Sequence, residues 1–424
     1  MLNTEKSIRY LAPAALKCKA RTFKKHSERD ISIICKVISR YGFIMPVFID
    51  TCKNIVFGQE FVVAALKLGV DKIPTIEVSH LNEPELSKFS LAMTNILQMG
   101  EMDIGYIVEE IKSWLSDIKI EFIPESIGLS SIELDNLLVS CEIEPDVKTE
   151  GKIELPEEVP ANTKPGDLIA LGRHRLYCGD SLKEESYKIL MKDEKADIAM
   201  ADSPYNVKIQ GNVTNQKQHE EFAVASGEMS KAEFTDFLRK VFTMLKAYSK
   251  QDSLHYLFMD WRHTSELQLA CENIYQRLLN ICVWNKMVGG MGSFYRSQHE
   301  FCFVYQNGNG SYKNNIQLGK NGRNRTNVWD YQGMNVSTKQ AKKLRKLHPT
   351  VKPTAMLMDI LLDASEYGDI VLDCFGGSGS TLIAAQQCGR RARLIEISPR
   401  YCDVIIARWE ELTGQKHQII ERIG

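Results

Sequence analysis

A glycine-rich segment in the last quarter of the chain constrains the fold most. An apolar run ends at Asp373, and Gly376, Gly377 and Gly379 follow it closely. This pattern is typical of a buried strand that turns tightly into a helix, because glycines allow the turn and let a ligand approach the backbone. Glu396, at the end of the next predicted strand, is placed to accept hydrogen bonds from ribose hydroxyls. The same spacing suits NAD enzymes, and a turn without a ligand is a further alternative.

The residues around this segment alternate between apolar strands and amphipathic helices. Strands are predicted at Ala196–Ala201, Leu254–Met259, Asn280–Trp284, Phe301–Tyr305, Ile370–Asp373 and Arg393–Ile397. Helices are predicted at Lys231–Ala247, Thr264–Arg277, Ala355–Ala364 and Ser380–Cys388. Because strands and helices alternate, the sequence predicts an α/β fold with a doubly wound, mostly parallel sheet.

Composition divides the chain into four regions. Residues 143–165 contain four prolines among Glu, Lys and Thr and lack apolar periodicity, so they are predicted to be a linker. Residues 1–100 are predicted to form a small α/β domain, with strands at 46–49, 54–57 and 73–78 and a helix stopped by Gly69. Residues 101–142 form a helical extension, in which Ser130 and Glu133 make a capping box. Residues 166–424 form the larger domain.

Charge and cysteine content exclude several protein classes. The 53 Lys and Arg residues nearly balance 54 Asp and Glu residues, so a surface for nucleic acid must be local. No run of 18 apolar residues and no secretory signal is present, which predicts a cytoplasmic protein without a membrane span. The 11 cysteines are scattered, with no CxxC pair, so no metal is expected.

A second segment, Asp202-Ser203-Pro204-Tyr205, follows the apolar run at Ala196–Ala201. An amine conjugated to an aromatic ring is a poor nucleophile, and acceptors that bond its two hydrogens favour the reactive, sp3-like form of its nitrogen. The Asp202 carboxylate and the Ser203 carbonyl can supply these acceptors, while Pro204 fixes the turn. Tyr205 offers a face on which a base can stack.

Several further segments, in this order, resemble the β group of DNA amino-methyltransferases. They are Gly166-Asp167-Leu168, Cys178-Gly179-Asp180-Ser181, His348-Pro349-Thr350-Val351-Lys352-Pro353, Gly389-Arg390-Arg391 and Pro399-Arg400-Tyr401. The resemblance covers about residues 165–413 and implies a Rossmann-like domain that uses S-adenosylmethionine to methylate an amine of a DNA base. Because that amine lies inside a duplex, the base must be flipped out.

The resemblance also assigns the cofactor-binding residues. Asp180 would bond the adenine of the cofactor, and Thr350 and Lys352 would hold its methionine or ribose end. The loop after Asp373 would line the methionine pocket through Phe375, Gly376 and Gly377, with Gly379 opening the helix. Glu396 would bind the ribose.

The first residue of the segment Asp202-Ser203-Pro204-Tyr205 indicates which DNA base is methylated. By the resemblance, the acidic Asp202 favours the N6 amine of adenine in double-stranded DNA, since N4-cytosine enzymes of this group more often begin with serine. The family usually has proline at the second position of this segment, where this chain has Ser203. The substitution keeps the backbone carbonyl but loosens the turn. Methylation of N4 of cytosine and a non-catalytic, cofactor-sensing DNA-binding regulator remain alternatives.

A basic insert between the two halves is predicted to contact DNA. Residues 306–347 carry nine Lys and Arg residues and one acid, Asp330. The resemblance places the target-recognition region here. The residues predicted to bind DNA are Lys313, Lys320, Arg323, Arg325, Lys339, Lys342, Lys343 and Arg345. A solvated loop is the alternative.

The N-terminal region resembles ParB-like domains through Ile38–Phe43, Val56–Glu60 and Ile73-Pro74. Where nucleotide-binding members carry an arginine-containing box, this chain reads Gly58-Gln59-Glu60-Phe61, with no arginine to meet phosphate. The departure favours an accessory module that contacts DNA or dimerises over nucleotide hydrolysis. The sequence leaves a homodimer and a partner nuclease open.

Overall fold

A computed structural model describes residues 7–18, 25–43, 45–97, 103–116, 124–140, 161–206, 227–290, 294–319, 323–333 and 351–422. The chain divides into two compact units, Met1–Ile143 and Glu144–Gly424. Most of the predicted linker lies outside the described residues. Its last residues belong to the second unit, because the backbone N–H groups of Asn162 and Thr163 donate to the Asp403 carboxylate at 2.7 and 3.1 Å.

The first unit contains a four-stranded sheet in its described part, in the order β1-β4-β2-β3. The strands are β1 (Ile8–Leu11), β2 (Val47–Ile49), β3 (Ile55–Phe57) and β4 (Ile73–Glu77). The helices are α1 (Glu28–Tyr41), α2 (Gln59–Leu68), α3 (Glu83–Ile96), α4 (Ile104–Ser116) and α5 (Ser131–Ser140), with single turns at Pro13–Ala15 and Pro124–Ile127. Strands β2 and β4 are parallel, and the other pairs are antiparallel.

Local signals explain the ends of these helices. Gly69 ends α2 in the left-handed conformation, with φ of 68°, which glycine adopts without steric cost. The capping box predicted at Ser130 is present, since Glu133 N–H donates to Ser130 Oγ at 3.2 Å and Ser130 N–H donates back to Glu133 Oε2 at 2.8 Å. Ser27 and Asn82 begin α1 and α3 in the same way.

The second unit is built on one sheet, which has ten strands among the described residues. Their order is β11-β9-β10-β8-β7-β12-β13-β6-β5-β14. The strands are β5 (Asp167–Leu171), β6 (His174–Cys178), β7 (Ala196–Asp202), β8 (Ser249–Met259), β9 (Arg277–Asn285), β10 (His299–Gln306), β11 (Val328–Asp330), β12 (Ile370–Asp373), β13 (Arg391–Glu396) and β14 (Gln418–Arg422). The five central strands, β8 to β6 in that order, are parallel, and β10 and β5 pair antiparallel at their two sides.

Helices cover both faces of this sheet. They are α6 (Glu184–Met191), α7 (Lys231–Ala247), α8 (Thr264–Cys271), α9 (Thr354–Ala364), α10 (Ser380–Gln387) and α11 (Pro399–Thr413), with a single turn at Trp261–His263. Alternate residues of β7 enter different cores: Ile198 and Met200 pack with α9 to α11, while Ala199 and Ala201 pack with α6 to α8. The predicted doubly wound α/β fold is confirmed. Among the described residues, no helix is long and apolar enough to cross a membrane.

One helix prediction was wrong at its end. The helix predicted over Thr264–Arg277 stops at Cys271, Asn273 turns the chain with φ of 66°, and Arg277 already begins β9. The apolar residues Ile274 and Tyr275 remain buried after the turn, which explains why they extended the helical pattern in the sequence.

The described part of the basic insert is fastened to the second unit by ion pairs. Arg323 Nη2 lies 2.8 Å from Asp359 Oδ1 and from Asp363 Oδ1, and Arg325 Nε lies 2.7 Å from Asp363 Oδ2. Lys313 Nζ lies 2.5 Å from Asp369 Oδ2. These three charges are neutralised within the protein, so the DNA contacts predicted for them compete with structural pairs and stay predictions. Lys320, Lys339, Lys342, Lys343 and Arg345 lie outside the described residues.

Replacing Asp363→Asn should lower the free energy of unfolding by about 1 to 3 kcal/mol, because it removes the more deeply buried of the two carboxylates, Asp363 and Asp359, that Arg323 and Arg325 share. Asp359→Asn is the matched control on the same helix. Its side chain is 30% exposed, so we expect a loss of about 1 kcal/mol or less. Urea unfolding of the two variants checks this, and equal losses would contradict a structural role for Asp363.

Candidate active site

The carboxyl ends of four parallel strands bring the predicted site residues to one edge of the sheet. In the strand register, Asp373 pairs with Met200 of β7 and Leu394 of β13, while Glu396 pairs with Cys178 of β6. Asp202, which ends β7, therefore lies at the same edge as the glycine segment. In open α/β sheets this edge is where ligands bind.

The glycine segment forms a closed turn between β12 and α10. Asp373 holds it from inside, because its Oδ1 accepts from Phe375 N–H at 2.9 Å and its Oδ2 accepts from Thr381 Oγ1 at 2.6 Å. Gly379 N–H donates to the Gly376 carbonyl at 2.8 Å, and Arg408 donates to the Ser378 carbonyl at 2.6 Å. The turn is thus fixed by the chain alone.

Two glycines leave no room for a side chain. A Cβ on Gly379, where φ is 83°, would lie 3.0 Å from Ile405 Cγ1, and a Cβ on Gly376 would lie 3.2 Å from Ile405 Cδ1. Helix α11 therefore packs directly against the turn. The backbone N–H groups that begin α10 are kept at the sheet edge, where they can meet a ligand.

Glu396 is tied to the same turn. Its Oε2 accepts from Gly377 N–H at 2.7 Å and its Oε1 accepts from Ser398 N–H at 2.8 Å. Burial raises the pKa of the Glu396 carboxyl to about 7, although these backbone donors act in the opposite direction. Burial also raises the pKa of Asp373 to about 7, and the negative charges of Asp202 and Glu396 add to that rise. This edge of the sheet therefore holds two buried carboxyl groups, and a cationic ligand nearby would stabilise their charged forms.

Lys352 lies at the centre of a second cluster, next to Asp202. The side chain is 6% exposed, and its Nζ lies 2.6 Å from Asp202 Oδ2 and 3.1 Å from Glu300 Oε2. The ammonium also donates to Tyr205 Oη at 3.1 Å. Burial alone would lower the pKa of Lys352, but the two carboxylates raise it above its ordinary value. The buried cation is compensated by acids from β7 and β10.

Aromatic rings surround the same ammonium. Lys352 Nζ lies 5.1 Å from the ring centre of Phe258, 5.5 Å from that of Tyr205 and 5.7 Å from that of Trp284. Cations near such ring faces are attracted by the ring quadrupole. The Tyr205 hydroxyl donates to Asp202 Oδ1 at 2.7 Å, and burial together with both carboxylates raises its pKa well above the ordinary value.

Glu300 completes the cluster and was not predicted from the sequence. It is buried on β10, and Lys286 pairs with its Oε1 while Lys352 approaches its Oε2. Burial would raise the pKa of Glu300, but the two lysines lower it below the ordinary value. One signal was available: an acid directly before the apolar strand predicted at residues 301–305 needs a partner if the strand buries it.

The remaining predicted residues have varied placements. Asp180 Oδ1 accepts from Leu182 N–H at 2.9 Å, a local turn that begins the segment before α6. Ser203 is 2% exposed, and its hydroxyl has no hydrogen-bond partner among the described residues. Thr350 lies outside the described residues. Lys352 was predicted to hold the cofactor. In the structure its ammonium forms an ion pair with Asp202, and its predicted contact with the cofactor stays a prediction.

The comparisons with known proteins match this second unit. A family model described as DNA methylase matches residues 196–408, half of the 424-residue chain. The matched residues include Asp202, Glu300, Lys352, the glycine turn and Glu396.

The chain belongs to the DNA methylase family.

Individual relatives of this DNA methylase are more distant. Type II methyltransferase M2.DpnII of Streptococcus pneumoniae is 27% identical over 240 residues, which are 53% of this chain and 87% of the relative. The solved PvuII DNA methyltransferase, which is cytosine-N4-specific, is 14% identical and covers 61% of this chain and 98% of its own, with a TM-score of 0.43.

The first unit has a weaker likeness. The C-terminally truncated chromosome-partitioning protein ParB of Caulobacter crescentus, complexed with CTP-γ-S, is 17% identical and has a TM-score of 0.26. It covers 32% of this chain and 79% of its own. This likeness is too weak to show a shared fold, so the ParB-like domain stays a prediction. The homodimer and the partner nuclease stay open. Among the described residues of this DNA methylase, no group of His, Cys, Asp and Glu could hold a metal ion.

Replacing Gly379→Ala should destabilise the DNA methylase by about 2 to 4 kcal/mol, because alanine would have to adopt the left-handed backbone conformation and its Cβ would also press on Ile405 at 3.0 Å. Gly414→Ala is the matched control at the end of α11. There φ is 69° but no atom lies within 4 Å of the new Cβ, so only the conformational cost of about 1 kcal/mol applies. Thermal unfolding compares the two, and equal shifts would show that α11 does not pack tightly on the turn.

Proposed function

We propose that this DNA methylase transfers a methyl group from S-adenosylmethionine to the N6 amine of adenine in double-stranded DNA. The observation that carries the proposal is the placement of Asp202 at the same sheet edge as the glycine turn and Glu396. A methyl acceptor bonded to Asp202 and a cofactor held by the turn would then meet side by side, which is what an in-line displacement needs.

The residues at the edge fit this cofactor. The glycines of the turn let a ligand approach the backbone closely, and the Glu396 carboxylate keeps acceptor capacity for ribose hydroxyls. Asp373 and Glu396 are buried acids whose pKa values are raised to about 7, so a sulfonium cation nearby would stabilise their charged forms, whereas a pyrophosphate would oppose them. This argument favours S-adenosylmethionine over a dinucleotide. When bound, the cofactor supplies an electrophilic methyl group.

The chain's own residues prepare the amine. The Asp202 carboxylate and the Ser203 carbonyl accept the two amine hydrogens, which localises the nitrogen lone pair and gives the departing proton an acceptor. The Tyr205 ring offers a face for the flipped base, and Phe258 and Trp284, which surround Lys352, exclude water beside it. No covalent bond between the protein and the base is needed.

Adenine is favoured by the resemblance, because position 202 is acidic, whereas N4-cytosine enzymes of the group more often have serine there. The N4 amine of cytosine is chemically similar, and the same cluster could hold it. Analysis of methylated nucleosides separates the two bases directly.

Asp202→Ala should reduce methyl transfer by at least about 10²-fold, because the amine loses its side-chain acceptor. Binding of S-adenosylmethionine should be nearly unchanged, since the turn and Glu396 are intact. The measurement uses labelled S-adenosylmethionine and unmethylated duplex DNA, followed by digestion and mass spectrometry of the nucleosides.

The control is Asp236→Ala, an exposed acid on α7 that should behave like the unaltered protein. N6-methyladenine from the unaltered protein supports the proposal, and N4-methylcytosine would correct the base. Undiminished transfer by the Asp202 variant would refute the role given to this residue.

The affinity for S-adenosylmethionine should rise as the pH increases from 6 to 8. The pKa of Glu396 is about 7, so its carboxyl is mainly protonated below pH 7 and ionised above it, and only the ionised form accepts from two hydroxyls. Ionisation of Glu396 alone should contribute at most about tenfold per pH unit.

Glu396→Gln should bind more weakly and with a flatter pH dependence, measured by isothermal titration calorimetry. The pH dependence of the affinity that remains in this variant should come from Asp373, whose pKa is also raised to about 7. An unchanged slope in the variant would remove Glu396 from the binding site.

A further inference from the structure

Both carboxylate oxygens of Asp202 are occupied by donors of the protein itself. The Tyr205 hydroxyl donates to Oδ1 at 2.7 Å, and Lys352 Nζ lies 2.6 Å from Oδ2. A target amine that bonds to Asp202 must therefore share the carboxylate with these donors, which weakens it as an acceptor, or displace one of them. Neither donor can be left unpaired, because both groups are buried and an unpaired buried donor costs free energy.

Glu300 lies within reach of the same two donors. Its Oε2 is 3.2 Å from the Tyr205 hydroxyl and 3.1 Å from Lys352 Nζ. The hydroxyl has one proton, so it can donate to Asp202 or to Glu300, but not to both at once. A small movement of the proton and the ammonium would transfer both interactions from Asp202 to Glu300.

The two acids differ in how firmly they are held. Glu300 is buried, and Lys286 fixes its Oε1 from the end of β9. The Asp202 side chain is 24% exposed at the sheet edge. Glu300 is therefore the stationary acceptor, and Asp202 is the one that a substrate can approach.

We propose that Glu300 is a positioning residue that receives the Lys352 ammonium and the Tyr205 hydroxyl when Asp202 bonds the target amine. This inference rests on the proposed function and deepens it. Glu300 keeps the buried cation paired throughout the reaction, so Asp202 becomes available without leaving Lys352 uncompensated. It acts on the rate of transfer and not on cofactor binding.

Glu300→Gln tests the proposal, because glutamine keeps the shape of the side chain and removes its charge. In this variant Asp202 is the only carboxylate left for Lys352, so the ammonium should stay on Asp202. We expect the single-turnover rate at saturating DNA and S-adenosylmethionine to fall by about 10- to 100-fold. The Kd for S-adenosylmethionine should change by less than about twofold, on the order expected for an intact binding site.

Glu266→Gln is the matched control, since Glu266 on α8 is also buried and is bonded to His263 and Ser265. Its rate should equal that of the unaltered protein. Equal rates for Glu300→Gln and Glu266→Gln would overturn the inference.

A double variant shows whether Glu300 acts through Lys352. Lys352→Met removes the ammonium, so adding Glu300→Gln to it should lower the rate much less than the same change does alone. A full additional loss would overturn the inference, because Glu300 would then act by another route. If Glu300→Gln melts well below the unaltered protein, Glu300→Asp provides the second test: it keeps the charge, and it should recover part of the rate.

The outcomes also separate this inference from the proposed function. Retained activity in Asp202→Ala would refute the proposed mechanism. Loss of activity in Asp202→Ala together with a normal rate in Glu300→Gln would refute only the role of Glu300.

Discussion

The buried ammonium of Lys352 is the interaction on which the catalytic half of this DNA methylase depends. It joins three segments that are far apart in the chain, since Asp202 ends β7, Glu300 lies on β10 and Lys352 precedes α9. Removing an ammonium from water costs several kcal/mol unless excellent geometry offsets it. The requirement for two carboxylates therefore fixes how these segments meet, and it holds Asp202 at the sheet edge, where the proposed substrate would bind.

The cofactor half is stabilised differently. Its acids, Asp373 and Glu396, have no lysine partner among their described contacts and are held by backbone N–H groups and by the Thr381 hydroxyl. Backbone donors compensate a carboxylate less completely than a cation does, so burial still raises both pKa values to about 7. Asp202, the proposed catalytic acid, is thus paired with a cation of the protein, whereas Asp373 and Glu396 have no such cation among their described contacts.

The parts of this arrangement that could be predicted are those encoded locally. The glycine turn, Asp202 and Glu396 each follow or end a short apolar strand, and parallel strands bring their carboxyl ends together, so the sequence alone indicated that these residues meet at one edge of the sheet. Glu300 could not be assigned, because its partners depend on the pairing of β10 with β8 and β9, which no local pattern reveals. The ion pairs of Arg323 and Arg325 could not be predicted for a related reason. Counting charge over residues 306–347 cannot include Asp359 and Asp363, which lie on the helix that follows.

The order of the strands explains why the two halves act as one site. Strand β12, which comes late in the chain, lies between β7 and β13 at the centre of the sheet. Its neighbours therefore carry the catalytic acid on one side and the ribose-binding acid proposed above on the other. Since β12 hydrogen-bonds to both strands, the turn after Asp373 cannot move without disturbing Asp202 or Glu396. In the proposed reaction, the distance between the methyl donor and its acceptor would then be set by the spacing of adjacent strands, which is among the least variable lengths in a protein.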